Sequence, residues 1–547
     1  MRLAWIVDLE DDDLRAAVNR LRSRLAETGL DDTDVHDADV VVVWADRPLP
    51  RDLAHALADP GLRVVLAGPT LAAADADRLL AETSGVHTDG ATAVHDVRVR
   101  VGRDGGGLPT SGHAHAEGDH VGVHDHVTDR ITLVDKVADD VEVLRTAYVG
   151  LAEHPVMTWR PGTATGVWTL GTLPGSVHDR TAARELLTML RHVAGAPGPR
   201  HVRVGLLGYG AIGHEHSRAV RAVEGLDLTA VCDTSAARLD AAAAVAPEIA
   251  TMADGAELLA RDDVDLVVVS TPPSTHATWA LRAIRAGKHV LVEKPFAIRT
   301  DEADAVLAEA AAAERLAVVY QNRRFDPDHL AVRRAVQGGA LGEVFHVETF
   351  VGGYGHPCNL WHSDEGVSGG AFYDWGAHVL DQILDLVPTD IDHVTAAAHK
   401  RRWYDVTNAD HSRVTIRFAD GAEAEFVHSD LAAALKPRWY VLGTAGALVG
   451  HWRTEKVVSR NDIGTLEEDV LAPADSPPLL DLHGADGSVT RLATPPSQPY
   501  AFHHELADRL RLGLPMTVTG QQSRRVLSVM EAARCSAEDS GRPVVPQ

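Results

Sequence analysis

An apolar run that empties into glycines leaves this chain few folds to choose from: residues 202–207 read Val-Arg-Val-Gly-Leu-Leu, and Gly208-Tyr209-Gly210-Ala211-Ile212-Gly213 follow at once. A second apolar run ends on Asp233, twenty positions past Gly213. A strand, a G-x-G-x-x-G turn opening a helix, and an acid at that distance make up the dinucleotide-binding fingerprint of a βαβ unit. Gly208 permits the tight strand-to-helix turn, Gly210 leaves room for a pyrophosphate against the backbone, and Gly213 lets the helix lie close to the strand. The free N–H groups of the helix that opens at Ala211 and Ile212, and its positive end, then face the phosphates. A carboxylate at Asp233 accepts hydrogen bonds from the adenosine ribose and repels a 2′-phosphate, which favours NAD over NADP. Arg238, five residues on, tempers that preference, because a guanidinium can stack on adenine or hold a phosphate.

From residue 201 the alternation is regular. Strands are expected at 201–208, 227–233, 265–271, 289–295 and 316–322, with helices opening at 211, 235, 274 and 300. Such alternation demands right-handed crossovers and a doubly wound parallel sheet. Beyond about residue 340 the pattern changes to longer alternating runs (EVFHVETFVGG, SRVTIRFADG, AEAEFVHSDL) with a hairpin-like Asp420-Gly421. These predict an α+β domain with an open, mainly antiparallel sheet, a helix over 370–386 packed near it, and two closing helices. Before residue 194 the runs LAWIVD, DADVVVVWAD and LRVVLAG are apolar strands of the kind buried in a parallel sheet, separated by helical patterns. The turn-rich AGAPGP at 194–199 marks a boundary. The expected division is 1–195, 200–322 and 323–547, with the portion after the linker able to fold and bind NAD without the first.

Acids outnumber bases 78 to 52, a net charge of −26, which argues against nucleic acid or an anionic membrane as partner. Cys232, Cys358 and Cys535 are odd in number and widely spaced, so they suggest neither a disulfide framework nor a cysteine metal site. The opening MRLAWIVDLEDDD lacks the basic end and long apolar core of a signal peptide, and no apolar run approaches membrane-spanning length. A cytoplasmic location is the expectation.

GLLGYGAIG, AVCD, VVVSTPPSTH, AIRAGKHVLVEKP, YQNRRFDP and SGGAFYDWGAHVLDQIL, in that order and spacing, resemble the Gfo/Idh/MocA oxidoreductases over residues 201–547. The resemblance implies a Rossmann domain, a second domain whose sheet carries the substrate and the subunit interface, and NAD(P)-linked oxidation of sugars, inositols or related polyols. A homodimer or homotetramer is implied as well. Oxidising a secondary alcohol needs a hydride acceptor, a base for the hydroxyl proton and a group that stabilises the developing alkoxide. Lys294 lies in Glu293-Lys294-Pro295 at the C-terminal end of a sheet strand, where ligands of open α/β folds gather. Only six of the 52 basic residues are lysines, so a lysine there is unlike the chain's ordinary surface cations. Pro295 resembles the family's cis-proline. Asp374 and His378, four apart on a predicted helix, share one face. The resemblance makes His378 the acid/base and gives Asp374 the role of orienting it or binding a neighbouring hydroxyl. It also assigns Thr271, Pro272 and His276 to the nucleotide loop, with Pro273 where many members have asparagine, and puts Glu293, Lys294 and Gln321 near the nicotinamide. His362 and Asp364, just upstream, could bind substrate but read first as exposed loop polarity, and Asp381 reads as structural.

Residues 1–195 resemble ThuA-like (trehalose-utilisation) domains, with a glutamine-amidotransferase-like α/β fold, through their strands, the segment 124–129, VDKVADDVEVL and HPVMTWRPGTATGVWTLGT. Two departures weaken catalysis there: Gly68-Pro69-Thr70 stands where that family tends to have a histidine, and Gly171-Thr172 replaces a Gly-His. His113, His115, His120, His124 and His126 crowd a polar stretch rich in glycine, which reads as a loop and not as a metal site. The sequence therefore predicts a cytosolic NAD-dependent sugar or polyol dehydrogenase without a metal, fused to a ThuA-like domain. Two alternatives stay open: an NAD-dependent glycosidase working through transient oxidation at C3, and a non-catalytic sensor of nucleotide and sugar.

Overall fold

The computed structural model describes all residues except 29, 48, 60, 61, 71–78, 85, 92–94, 101–123, 130, 131, 150, 151, 171–179, 358–360, 371, 462, 463, 474 and 475. His113, His115 and His120 lie outside the described residues, as does Gly171-Thr172. The chain divides into two compact units that are discontinuous in sequence: Met1–Val202 with Ala219–Asp227 and Gln498–Met516, and the remainder.

In the first unit, a nine-stranded sheet begins with parallel strands Asp31–Asp32, Arg2–Asp8, Val40–Ala45, Val64–Ala67 and Thr165–Trp168. It continues antiparallel through Ala152–Arg160, Glu142–Val149, His95–Arg100 and His124–Asp129. Val40–Ala45 and Val64–Ala67 are buried along their whole length, which is why their sequences do not alternate. Helix Asp12–Ala26 is capped by Asp11, whose carboxylate accepts from the Leu14 N–H at 2.9 Å. It buries Leu14, Ala17, Val18, Leu21 and Leu25, the spacing of one helical face. Thr70, at the position of the first ThuA departure, is fully buried; its hydroxyl lies 2.6 Å from the Ala67 carbonyl and accepts from the Ala45 N–H at 2.8 Å. That side chain is a fastener of the strand ends.

The linker 194–199 has no regular structure, yet the first unit does not stop there. Helix Ala501–Leu512 returns to it near the other end of the chain, and Leu512 and Leu514 join the core formed by Leu14, Leu21, Leu186 and Leu190. A buried ion network fixes this return. Arg180 Nε meets Asp508 at 3.1 Å and its Nη1 lies 3.5 Å from Glu505, while Arg145 bridges Glu185 at 3.2 Å and Glu224 at 3.3 Å. Burial pushes the Asp508 carboxyl above its usual range despite Arg184 and Arg180.

The second unit holds two sheets over a single apolar core. The first is parallel, with strands in the order Ala250–Met252, Leu226–Cys232, Val202–Leu207, Leu266–Val269, His289–Val292 and Ala317–Val319. The second has eight strands, in the order Ile391–His399, His411–Phe418, Glu423–Ser429, Val344–Gly352, Trp439–Gly443, Gly446–His451, Leu479–Gly484 and Val489–Leu492. Every neighbouring pair in it is antiparallel except Val344–Gly352 with Glu423–Ser429. Gly421, at φ +93°, makes the hairpin expected at Asp420-Gly421.

Helix Trp375–Leu386 packs against this sheet and helix Gly520–Glu538 through Ala377, Leu380, Phe426 and Met530. It is shorter than the helix expected over 370–386, because Gly369 (φ +90°) and Gly370 (φ +97°) turn the chain ahead of it. Asp381 on its buried face takes both ends of the Arg324 fork, Nε at 2.8 Å and Nη2 at 2.6 Å, while Arg324 Nη1 reaches Asp385 at 2.7 Å. The structural role expected of Asp381 is the one it fills. Among the described residues no helix is long and apolar enough to cross a membrane.

Candidate active site

Two elements of the second unit meet at the site. Strand His289–Val292 delivers Glu293 and Lys294 at its C-terminal end, and the Lys294–Pro295 peptide is cis. From the other side comes the turn before helix Trp375–Leu386, with Asp374 at the N-cap position and His378 in the first turn. Lys294 Nζ donates to Asp374 Oδ1 at 2.7 Å. Burial works against charge on Asp374, but the Lys294 ammonium outweighs it and holds the carboxyl below the usual range. The partner of Asp374 is thus the lysine. His378 is 8 % exposed and its Nδ1 has no hydrogen-bond partner in the protein. Burial, then the positive charges of Lys294, Arg323 and Arg438, hold its pKa well below the ordinary 6.5. The imidazole is neutral at neutral pH and able to take a proton.

The site has further neighbours, of which sequence reasoning named only His362. His362, read as exposed loop polarity, is half-buried, and Asp374 and Lys294 both act on its charge. His428, on strand Glu423–Ser429, also acts on Asp374 and lies 3.8 Å from Asp430. Arg438 and Trp375 complete the surroundings of His378, the Trp375 ring edge-on at 6.1 Å. A strand-period pattern fits His428 and Arg438 as well as any surface residue, so nothing local marks them.

The glycine loop divides into packing positions and one open position. A Cβ on Gly208 would meet the Ser270 carbonyl at 2.5 Å, and one on Gly213 would meet the Gly208 carbonyl at 2.4 Å. On Gly210 it would meet nothing nearer than Arg238 Nη1 at 3.9 Å. Gly210 therefore leaves uncovered backbone beside the first turn of helix Ala211–Ala222, which suits a pyrophosphate. Asp233 is 6 % exposed; its carboxylate accepts from the Tyr209 N–H at 2.7 Å, the Ser235 N–H at 2.8 Å and Arg238 Nη1 at 3.3 Å. It shapes the loop as well as offering a ribose acceptor. Gln321 is buried with its Oε1 unpartnered, an acceptor of the kind an amide N–H satisfies. These features fit a dinucleotide.

Other expected nucleotide contacts have structural partners. His276, fully buried, sits with its ring nitrogens 2.7 Å from the carbonyls of Pro295 and Thr271. It ties the loop at Thr271-Pro272 to the Lys294–Pro295 turn. Glu293 meets His216 Nε2 at 2.8 Å and accepts from the Lys294 N–H at 3.0 Å, so it braces the backbone that carries the lysine. Thr271 Oγ1 pairs with Thr275 Oγ1 at 2.7 Å. Among the described residues, no group of three or more His, Cys, Asp or Glu is arranged to hold a metal.

Residues 202–321 match the family described as "Oxidoreductase family, NAD-binding Rossmann fold", and residues 329–449 match the "GFO/IDH/MocA C-terminal domain". Scyllo-inositol 2-dehydrogenase (NADP(+)) IolW of Bacillus subtilis is 25 % identical over 62 % of this chain and 94 % of its own. Uncharacterized oxidoreductase YhhX of Escherichia coli is 32 % identical over 43 % of this chain and 67 % of its own. A solved structure of GenD2 from gentamicin A biosynthesis, in complex with NAD, superposes with a TM-score of 0.53 at 25 % identity, covering 64 % of this chain and 97 % of its own.

Proposed function

The chain belongs, through residues 202–449, to the Gfo/Idh/MocA family of oxidoreductases and carries its NAD-binding Rossmann domain; from that premise we propose that it oxidises a secondary hydroxyl of a sugar, glycoside or polyol. The observation that carries this reading is the Lys294–Asp374 pair at 2.7 Å beside a buried, neutral His378. Bound NAD supplies the hydride acceptor. The alcohol loses a hydride and a proton and becomes a ketone. Lys294 places its ammonium where the oxygen becomes negative, and a compact cation there lowers the cost of the alkoxide. Asp374 holds the ammonium in place. His378 Nδ1, without a protein partner, is free to accept the hydroxyl proton. Burial keeps water from competing at His378.

The same reading puts the reaction in the cytoplasm and makes the protein a homodimer or homotetramer, with the acidic surface keeping nucleic acid and membranes away. Residues 1–195 act as a ThuA-like domain on the same carbohydrate, 200–322 carry the nucleotide and 323–547, apart from the stretch 498–516 that belongs to the first unit, the substrate. IolW, an inositol dehydrogenase by name, supports the polyol class. The test is spectrophotometric: purified protein with NAD and a panel of inositols, hexoses and glycosides is followed at the NADH absorbance. Accumulating NADH with one class of alcohol is the expected result. Glycoside cleavage without net NADH would move the chain to the glycosidase alternative, and tight binding of both ligands without turnover to the sensor.

A further inference from the structure

Arg438, just before strand Trp439–Gly443, is 6 % exposed. Its Nη2 donates to Gln382 Oε1 at 2.9 Å, and its guanidinium lies 4.8 Å from the Trp439 ring centre. Gln382 is itself fixed, donating Nε2 to the Arg323 carbonyl at 2.7 Å. The fork is thus held from one side, while Nη1 has no partner in the protein. A buried cation with an open donor is costly, and a fold that keeps one meets it with an acceptor from outside the protein, an ordered water or the ligand oxygen that displaces it.

Arg438 lines a niche with Arg323, Asp326, Asp328, Trp375 and Trp452 that has room for about one water-sized group. Its carboxylates are engaged: Asp328 accepts from Trp439 Nε1 at 2.7 Å, and Asp326 from Arg323 Nη1 at 3.2 Å. The open group is therefore a donor, and it calls for an oxygen acceptor. Two guanidiniums already face two carboxylates, so a neutral oxygen enters without unbalancing the niche, whereas an anion does not. Trp375 stacks beneath Arg323 at 4.8 Å and stands edge-on to the His378 ring, so the niche adjoins the acid/base.

We propose that this niche takes one neutral hydroxyl or hydroxymethyl oxygen of the substrate and that Arg438 reads it, fixing which ring carbon is presented to His378. The identity of the substrate rests on the dehydrogenase reading; the niche does not. A site built around a buried donor rejects an analogue lacking the matching oxygen far more strongly than an apolar pocket rejects a missing methylene.

The experiment compares wild-type protein with Arg438→Met and Arg438→Gln, each saturated with NAD. Inositols, methyl hexopyranosides, their monodeoxy analogues and the corresponding hexuronates are titrated by calorimetry and assayed for NADH formation. In the wild type, loss of one particular hydroxyl should cost about 10²-fold or more in kcat/KM. Both variants should treat parent and deoxy compound alike while keeping normal NAD affinity, a pattern that a fold defect would not give. A deoxy penalty that survives in the variants overturns the proposal, as does a hexuronate preferred by the wild type alone. NADH formation with an unchanged penalty would sink the niche and leave the dehydrogenase standing. Binding with the residue-438-dependent penalty but without NADH would do the reverse. Absence of any binding would sink both.

Discussion

Lys294 Nζ and Asp374 Oδ1 stand 2.7 Å apart across eighty residues of sequence, one at a strand end and the other at a helix start. Replacing Asp374 by Asn keeps the shape and removes the charge that holds the ammonium. Asp374→Asn should lower turnover by about 10-fold or more, and Lys294→Ala by about 10² or more, each with near-normal NAD affinity. Lys294→Arg should not rescue, since a planar fork does not replace a compact ammonium beside an alcohol. Steady-state kinetics with nucleotide titration checks all three, and an arginine variant of wild-type activity would reduce the lysine to a bare charge.

Turnover should also report the state of His378. A base works in its neutral form, so the rate of alcohol oxidation falls as pH drops through the pKa of that base. Burial and the surrounding cations depress the pKa of His378, so the acidic limb of the pH–kcat profile should lie well below 6.5. His378→Ala should cost about 10²–10⁴-fold and abolish that limb. An inflection at 6.5 or above would assign the proton to another group.

The nucleotide preference turns on Asp233. Because its carboxylate accepts from the Tyr209 and Ser235 N–H groups, Asp233→Ser removes two loop braces together with the ribose acceptor and the repulsion of a 2′-phosphate. NAD should bind about 10-fold more weakly or worse, and discrimination against NADP should shrink. Fluorescence titration with both nucleotides measures this. A wild type that already favours NADP would hand the decision to Arg238, whose side chain is 55 % exposed beside Asp233.

Removing residues 1–195 should leave NAD binding in place, because Gly208, Gly210, Gly213 and Asp233 all lie in the second unit. It should not leave an undamaged remainder. Glu505 and Asp508, at 6 % and 3 % side-chain exposure, would lose Arg180 and Arg184. Breaking buried pairs from one side costs about 3–5 kcal/mol. Limited proteolysis should cut within 498–516 in the truncated protein and spare it in the full chain; equal resistance would show that the helix stands without its arginines.

What could be read from the sequence was whatever announces itself locally. Fully apolar runs such as Val40–Ala45 and Leu266–Val269 gave their strands away, as did the glycine turn and the hairpin at Gly421. The three-residue strand Ala250–Met252 is too short and too mixed to show a period. Asp374 was placed inside a helix because i and i+4 spacing looks the same from the N-cap position, and its lysine partner is a tertiary fact. The pairing of helix Ala501–Leu512 with Arg180 and Arg184, and the open donor on Arg438, depend on residues far apart in the chain. No pattern of neighbours encodes them.

The return of residues 498–516 to the first unit sets an order on biosynthesis. Domains ordinarily fold as they leave the ribosome, the first ones first. Here the opening 202 residues lack their closing helix until Met516 has been made, some 314 residues later. At about 5–20 residues per second, they wait about 15–60 s with the surface that Leu512 and Leu514 will cover still open. The second unit forms much of itself in that interval and waits in turn for helix Gly520–Glu538, so neither unit is finished before residues 498–547 have been made.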